Sequence, residues 1–464
     1  MFISIFSFSF MLVTDLNQGD SITKTFWRFT IPAIAAMIVN GLYQLVDGIF
    51  VGHYIGAEGL EAINIAWPVI AVVGGLGLMI GMGAGSLVSI YRGEENLGKA
   101  RSAMATGLAL TIVLGALASL YLILFGNNLV NLQGATGLAY GYANNYLDVF
   151  KYGAVATVAA GALPFLIRND DSPFVATSMM VVGALTNIVL DYLFIGVLGW
   201  GLKGAAVATV LAQLVSVAMG LIYLCSSRSF LAIFRHPLKL SLSDAGQSLV
   251  LGCSSLVMFM YYGVLVGFHN RLFAEYGTPV SVAAFAVVGY LMTLYYVVAE
   301  GIAEGMQPQV SFYHGAQSYS KIVKVAKLAT MVSLAAGFIW LAVLNLFPDF
   351  VIGMFNSGNE ALLKEATVGI RLHLSAMYLD GLIILASMYF LSVGKGGKSL
   401  SISVANMLVQ FPFLYTLPKF YGVEGVWLAM PISNVVLASV VIPVMWHDIL
   451  KQRNKQPELR PAIA

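Results

Sequence analysis

The stretch Val88-Ser89-Ile90-Tyr91-Arg92-Gly93 returns in the second half of the chain as Val310-Ser311-Phe312-Tyr313-His314-Gly315, at an offset of 310 − 88 = 222 in the numbering. A lysine follows each stretch at the same interval, Lys99 in the first half and Lys321 in the second. A motif that recurs at close to half the chain length indicates a duplicated unit.

A second pair of markers repeats at nearly the same spacing. Gly201-Leu202-Lys203-Gly204 returns as Gly422-Val423-Glu424-Gly425, at an offset of 422 − 201 = 221. The motifs follow long apolar runs, so the repeated unit is predicted to be a set of membrane helices. Repeats of this kind are typical of secondary transporters, which bind their substrate between the repeats.

The composition is that of a membrane protein. Of the 464 residues, 59% are hydrophobic and 10% are charged, whereas a soluble domain has about 25% charged residues. A helix needs roughly 20 apolar residues to cross a bilayer. Six spans in each half would make the two halves parallel repeats, because an even number returns the chain to the same side. The predicted spans are residues 27–52, 63–85, 102–126, 142–166, 173–197, 204–226, 246–270, 279–303, 324–347, 368–392, 398–418 and 424–446.

Basic residues indicate the orientation. If both termini are cytoplasmic, the inner side carries eighteen Lys and Arg residues and the outer side five, which agrees with the usual excess of basic residues in cytoplasmic loops. Residues 1–20 are either an interfacial lead or lie partly before a start at Met11. The expected domains are this lead at 1–20, an N-lobe at 21–230, a linker at 231–243, a C-lobe at 244–450 and a cytoplasmic tail at 451–464.

A polar stripe follows the first predicted helix. Ionisable groups at membrane depth cost at least about 2.5–3.5 kcal/mol, so they usually face a cavity or a partner. Asn40, Tyr43, Gln44 and Asp47 recur at steps of three and four residues, which places them on one face of a helix. A polar helix end near the headgroups is the alternative, and we favour a cavity because the whole stripe is polar.

The fifth predicted helix carries Asn187 and Asp191, which are four residues apart and therefore share a face. Together they could hold one cation or proton. The alternative is an interhelical hydrogen bond that contributes about 0.6 kcal/mol to helix association, although an aspartate fits that role poorly. Thr209 lies on a small-residue sixth helix, where by itself it is a packing residue.

The second half has fewer acidic residues at the corresponding places. Glu300 and Glu304 form a pair on the eighth helix and Asp380 interrupts the tenth. We expect Glu300 and Asp380 at a cavity, and Glu304 either there or solvated near a loop. Counted from the repeat markers, the counterparts of N-lobe residues are Phe268–His269 for Asp47, Asn406 for Asn187, Gln410 for Asp191 and Met430 for Thr209.

Three stretches resemble the multidrug and toxic compound extrusion (MATE) family. They are Val46-Asp47-Gly48-Ile49-Phe50-Val51-Gly52, Ala84-Gly85-Ser86-Leu87-Val88-Ser89-Ile90-Tyr91-Arg92-Gly93 and Gly305-Met306-Gln307-Pro308-Gln309-Val310-Ser311-Phe312-Tyr313-His314-Gly315-Ala316. The resemblance implies an all-α polytopic membrane protein with twelve transmembrane helices in two pseudo-symmetric six-helix bundles around a central cavity. It also implies a multi-pass protein of the cell inner (plasma) membrane with cytoplasmic termini.

The resemblance also implies roles for residues of the N-lobe, and the pattern is closer to the DinF-like branch. The second half departs from the NorM-like branch, because no acidic residue stands at the usual seventh-helix place and Asp380 fits the tenth-helix aspartate with a two-residue shift. The ion-coupling residues would be Asp47 on the first helix, the Asn-x-x-x-Asp pair Asn187 and Asp191 on the fifth, Thr209 on the sixth and Tyr146 on the fourth. Pro32 would be the proline at which the first helix bends.

The function that this resemblance implies is secondary active multidrug efflux, in which cationic or amphipathic small molecules are exchanged for H⁺ or Na⁺. We expect a monomer in the lipid bilayer that is not an enzyme, binds no nucleic acid, and has no cofactor or metal beyond a possible Na⁺ at Asp47, Asn187 and Asp191. One alternative is a lipid or lipid-linked-sugar flippase of the same superfamily, for which Lys151 is the one basic cavity candidate. Another is a membrane-embedded enzyme, although the chain has no His-Glu-x-x-His or Gly-x-Ser-x-Gly string.

Overall fold

Helices are the regular secondary structure throughout the described part of the chain. The computed structural model describes residues 21–133, 137–354 and 359–454, except for the side chains of residues 262–264. The expected lead at 1–20, the possible start at Met11 and the end of the expected tail at 455–464 lie outside the described residues. A π-helical turn, Tyr192–Val197, continues the fifth helix, and a short 3₁₀ turn, Ile233–Arg235, follows the sixth. The α-helices are α1 (Ile22–Tyr54), α2 (Ala57–Gly93), α3 (Leu97–Leu132), α4 (Gly137–Asn169), α5 (Pro173–Asp191), α6 (Gly201–Cys225), α7 (Leu242–Tyr276), α8 (Pro279–Gly315), α9 (Tyr319–Leu346), α10 (Pro348–Gly353), α11 (Glu360–His373), α12 (Met377–Ser392), α13 (Gly396–Leu408) and α14 (Gln410–Asn454).

The described helices supply twelve membrane spans. Ten helical runs are long and apolar enough to cross a bilayer, and one of them joins α13 and α14 in 59 residues. A straight helix of that length would measure roughly 90 Å, about three times the hydrocarbon thickness. Gly422, with φ 58° and ψ −136°, breaks this run into two spans. The helices α11 and α12, bent by 46°, form one further span.

The helices extend beyond the predicted spans, and one of them is broken. The second predicted span, 63–85, is part of α2, because backbone hydrogen bonds continue past the apolar run into the loops. The tenth predicted span, 368–392, contains the bend between α11 and α12. Hydropathy reports how apolar a segment is and not its direction, so it predicted one span here without the bend.

The two halves meet in a reciprocal contact that confirms the duplication. A Cβ atom at Gly93 would overlap the carbonyl oxygen of Phe312, and a Cβ atom at Gly315 would overlap that of Ile90. The offset from Ile90 to Phe312 (312 − 90 = 222) equals the offset from Gly93 to Gly315 (315 − 93 = 222). The repeated motif therefore marks a pseudo-twofold crossing of α2 and α8, where only glycine permits the two backbones to approach this closely.

Each bundle has its own apolar core. One core is formed by residues of α1, α2, α3, α4, α6 and the π-helical turn, including Val51, Phe150 and Ile195. The larger core is formed by residues of the second half, and Phe26 and Phe29 of α1 also belong to it. The helix α1 thus packs against both bundles, on α5 and along α8. This position makes α1 a natural place for movement between the bundles.

Candidate ion and substrate site

Two aspartates from different helices meet in the N-lobe. Asp47 of α1 and Asp191 of α5 lie within hydrogen-bonding range of each other. Asp191 is completely buried and is the last residue of α5 before the π-helical turn, a distortion that is frequent at functional sites. Two carboxyl groups form a hydrogen bond only if one of them carries a proton, because a carboxylate accepts and does not donate. This geometry therefore suits a shared proton or a bridging cation.

The other predicted ion-site residues surround this pair. The amide nitrogen of Asn187 donates to Thr209 Oγ1 at 3.3 Å, and Tyr146 lines the same cavity wall as Asn187 and Thr209. Asp47 Oδ1, Asn187 Oδ1 and both carboxyl oxygens of Asp191 are buried and accept no hydrogen bond from any N–H or O–H donor of the described residues. Unsatisfied buried oxygens are costly, so this cluster fits H⁺ or Na⁺ in its charge and in its oxygen ligands. The structure brings all five residues together.

A central cavity of about 340 Å³ lies next to this cluster. Helices of both halves line it, and the predicted stripe of Asn40, Tyr43, Gln44 and Asp47 faces it. Its acidic residues are Asp47, Glu300 and Glu304, and among the described residues no lysine, arginine or histidine lines it. The cavity is therefore suited to cations. Its methionine and aromatic residues are Met37, Tyr43, Trp67, Met82, Tyr146, Phe150, Phe165, Met180, Met258, Phe259 and Met388.

Asp380, which we expected at the cavity, is not among the residues that line it. It is 2% exposed and accepts a hydrogen bond of 2.8 Å from the amide nitrogen of Asn434 on α14. The side chain is thus held inside the C-lobe by a neighbouring span. Ile384 and Met388, on the same face of α12, do line the cavity. Asp380 lies in the first turn of α12, away from them along the helix, so the expectation for this residue is corrected.

A buried ion pair, which no sequence motif indicated, joins the two lobes at the end of the cavity. Arg168 Nη1 of α4 lies 2.8 Å from Glu304 Oε2 of α8, and their side chains are 1% and 6% exposed. Next to it, the side-chain amides of Asn169 and Gln307 form two hydrogen bonds, of 3.0 and 3.2 Å. Arg168 is one of the eighteen basic residues that the charge count predicted for the cytoplasmic side. The contact closes the cavity on the side of the repeated motifs.

The remaining predicted residues are placed as follows. Pro32 lies inside α1, and its carbonyl oxygen accepts a hydrogen bond of 2.8 Å from the Thr177 hydroxyl of α5. Lys151 Nζ lies 2.5 Å from Asp148 Oδ1, one helical turn away, and Lys151 does not line the cavity. The one basic candidate for an anion-binding cavity is therefore engaged in a local ion pair.

Comparisons with known proteins agree on one family. The model of the MatE family matches residues 32–193 and 251–416, which together are more than half of the chain. The multidrug export protein MepA of Staphylococcus saprophyticus is 21% identical over 435 residues, which are 93% of this chain and 96% of that protein. A crystal structure of MATE in complex with MaL6 is 25% identical, with a TM-score of 0.86, and the match covers 94% of this chain and 98% of that one. A MATE transporter of the MOP superfamily in an outward-facing conformation is 24% identical, with a TM-score of 0.86 and coverage of 96% and 100%.

Proposed function

The chain belongs to the MatE family, and from that premise we propose that it is a secondary active multidrug efflux antiporter that exports cationic or amphipathic small molecules in exchange for H⁺ or Na⁺. The observation that carries this proposal is the acidic central cavity, which has no basic residue among its described lining. The similarity to multidrug export proteins supports a broad substrate range. So do the methionines of the cavity wall, because flexible thioether side chains adapt to ligands of different shape.

The coupling ion would bind between Asp47 and Asp191. A proton or Na⁺ at this place removes negative charge that is otherwise buried at high cost. Asn187, Thr209 and Tyr146 would complete the site with oxygen ligands, which suit a hard cation such as Na⁺. Binding thus turns a repulsive carboxyl pair into a neutral, hydrogen-bonded or ion-bridged one, and it draws α1 towards α5.

The substrate would bind at Glu300. This carboxyl group lines the cavity together with Met258 and Phe259, whereas Glu304, one turn away, is neutralised by Arg168. An organic cation would pair with Glu300 and place its apolar part against the methionine and aromatic side chains. Cations are also attracted to the faces of aromatic rings.

Coupling requires that the ion changes the shape of the cavity. A ligand shifts a conformational equilibrium only if it binds one state more tightly than the other. We propose that ion binding at Asp47 lets α1 bend at Pro32, where the missing N–H leaves the helix without one internal hydrogen bond. The bend would narrow the N-lobe side of the cavity and release the substrate. With the basic loops in the cytoplasm, release would be to the outside of the plasma membrane.

The flippase alternative has no support in the cavity. A lipid-linked phosphate would need basic partners, and Lys151 pairs with Asp148 away from the cavity. Ion-driven export of a cation therefore explains the described residues better.

The decisive experiment is transport of a fluorescent organic cation by the purified protein in liposomes, with a pH gradient and a Na⁺ gradient imposed separately. We expect one of the two gradients to drive the dye against its concentration gradient, and protein-free liposomes with the same gradient to show no such movement. Dye movement that only equilibrates, with either ion, would contradict antiport.

A further inference from the structure

Two carboxyl groups of α8 line the central cavity, those of Glu300 and Glu304. They are one helical turn apart, so their side chains start about 5–6 Å from each other on the same face of the helix. Glu304 Oε2 lies 2.8 Å from Arg168 Nη1, whereas none of the ion pairs among the described residues includes Glu300. The cavity therefore has one available carboxylate and one that an internal cation occupies.

The internal cation belongs to the other lobe. Arg168 lies near the end of α4, and its guanidinium carbon is 5.1 Å from the centre of the Phe165 ring on the same helix. This contact between a cation and an aromatic face holds the arginine on the N-lobe side of the cavity. Glu304 belongs to the C-lobe, so the ion pair exists only while the two lobes are in contact at this end.

Arg168 is incompletely satisfied in this contact. Among the described residues it donates one hydrogen bond, from Nη1 to Glu304 Oε2, and its buried Nε and Nη2 atoms have no acceptor there. A buried ion pair offsets the cost of its desolvation only when the remaining donors are bonded too. The pair is therefore easier to separate than a fully bonded one, which suits a contact that forms and breaks repeatedly.

Opening of the cavity at this end would release Glu304. Alternating access moves one bundle against the other around a fixed binding site, and Arg168 would move away with Phe165 and the N-lobe. Glu300 and Glu304 would stay together on α8, beside apolar residues of α7 such as Phe259, which also lines the cavity. The C-lobe then presents two carboxylates one turn apart next to an apolar wall.

This pair of carboxylates selects for charge number. Two neighbouring carboxylates repel each other, and the repulsion is strong where water is scarce. A ligand with one positive charge relieves the repulsion in part, and a ligand with two charges at the matching spacing neutralises both carboxylates through charge-assisted hydrogen bonds. The geometry thus favours an organic dication with two ammonium or amidinium groups about 5–6 Å apart.

We propose that Glu300 and Glu304 together bind organic dications while the cavity is open at this end, and that Arg168 returns to Glu304 when the lobes close. The proposal rests on the proposed function and names a substrate class for the same cavity. Closure replaces the second charge of the substrate by Arg168 and leaves the substrate paired with Glu300 alone. The affinity for a dication therefore falls as this end closes, which favours release on the opposite side.

The binding test uses two matched amines and isothermal titration calorimetry on the purified protein. N-(naphthylmethyl)-1,4-diaminobutane carries two ammonium groups that can lie about 5–6 Å apart, and N-(naphthylmethyl)butylamine carries one. We expect the ratio of dication affinity to monocation affinity to rise about tenfold or more in Arg168→Gln, because Glu304 becomes available to the second ammonium group. Glu304→Gln should not raise this ratio above the wild-type value.

The comparison of these two variants separates a binding site from a loosened contact. Both substitutions break the same ion pair, so lobe opening alone would change the ratio equally in the two variants. That result, or an unchanged ratio in Arg168→Gln, would overturn the proposal.

Arg92→Gln is the matched control. Arg92 is a buried arginine that donates to the carbonyl oxygen of Asn169 at 2.7 Å within its own lobe, and its replacement should leave the ratio within about twofold of wild type. A rise equal to that in Arg168→Gln would contradict the proposal. A wild-type protein that binds neither amine would refute the proposed function as well, whereas binding of both amines with one ratio in all variants would refute the dication site alone.

A spectroscopic test keeps the ion pair intact and does not depend on the folding of its variants. Spin labels at Lys99→Cys and Lys321→Cys, with Cys225 and Cys253 replaced by serine, report the distance between the exposed ends of α3 and α9. A ligand shifts a conformational equilibrium towards the state that it binds more tightly. Saturating dication should therefore lengthen this distance more than saturating monocation does, and equal distances with the two amines would overturn the proposal.

Discussion

At the scale of single residues, ion coupling would depend on the carboxyl groups of Asp47 and Asp191. Both are needed, because with a single carboxylate there is no repulsion between two buried negative charges for a proton or Na⁺ to relieve. We therefore expect Asp47→Asn to abolish ion-driven export, by a factor of at least about one hundred if coupling supplies about 2.7 kcal/mol or more. The measurement is dye export from liposomes under the driving gradient.

Asp148→Asn is the matched control for this substitution. It makes the same chemical change at a half-exposed residue whose partner is Lys151, one turn away. Because surface ion pairs contribute little, export by this variant should remain at the wild-type rate. Export against a gradient by Asp47→Asn at the wild-type rate would refute coupling through the N-lobe.

Glu300 is a single residue that we expect to act in substrate binding and not in ion coupling. It is a cavity carboxyl group whose neighbour Glu304 is already paired with Arg168. Glu300→Gln should weaken the binding of a monocationic dye about tenfold or more, since hydrogen bonds to charged groups contribute about 1.5–3 kcal/mol. A neutral amphipathic substrate should bind as before. Binding is measured by fluorescence titration of the purified protein with both ligands.

Asp380→Asn provides the comparison, because Asp380 lies outside the cavity and accepts a hydrogen bond from Asn434. We expect it to lower the melting temperature without changing the preference for cations over neutral ligands. If Asp380→Asn alters this preference and Glu300→Gln does not, the assignment of the substrate carboxylate is wrong.

At the scale of elements, α1 touches both bundles and carries Pro32 in its interior. Pro32→Ala would restore an internal hydrogen bond and remove the clash between the proline ring and the preceding turn. We expect a straighter α1 and unchanged substrate binding. Export should be at least about tenfold slower, because the variant must break an internal hydrogen bond of α1 in order to bend, and the wild type has no such bond at this position. Stopped-flow dye export and equilibrium binding separate the two effects.

Pro279→Ala is the control for this prediction. Pro279 stands in the first turn of α8, where the missing N–H has no helical partner in any case. Its replacement should leave export unchanged. Equal slowing in both variants would indicate a general effect of proline loss, and no slowing in Pro32→Ala would argue against a bend at this residue.

At the scale of the whole molecule, the Arg168–Glu304 ion pair holds the lobes together at one end of the cavity. Breaking a buried pair by removing one partner costs about 3–5 kcal/mol. Arg168→Gln and Glu304→Gln should therefore each shift the population towards a state that is open at this end. The charge exchange Arg168→Glu with Glu304→Arg should restore closure in part.

The distance between the exposed ends of α3 and α9 measures this shift. Spin labels at Lys99→Cys and Lys321→Cys, with Cys225 and Cys253 replaced by serine, report the separation by electron paramagnetic resonance. We expect a longer distance in each single variant and a return towards the wild-type distance in the exchange variant. Equal distances in all four proteins would mean that the pair does not hold the lobes closed.

The sequence alone determined the features of this structure that follow from composition and from local residue patterns. Long apolar runs have to form helices in a bilayer, because every backbone hydrogen bond must be made within the segment. Twelve spans, the duplication of half the chain and the cavity stripe around Asp47 all followed from such local patterns. They were predictable because helix periodicity fixes which residues share a face.

Only the tertiary structure decided which faces meet. Asp47 and Asp191 are far apart in the sequence, Arg168 and Glu304 lie in different lobes, and no local pattern states that either pair is in contact. Asn434 of α14 holds Asp380 outside the cavity, although Asp380 shares a face of α12 with the cavity residues Ile384 and Met388. Side chains at membrane depth are sorted by contacts between helices, and these contacts depend on the packing of the complete bundle.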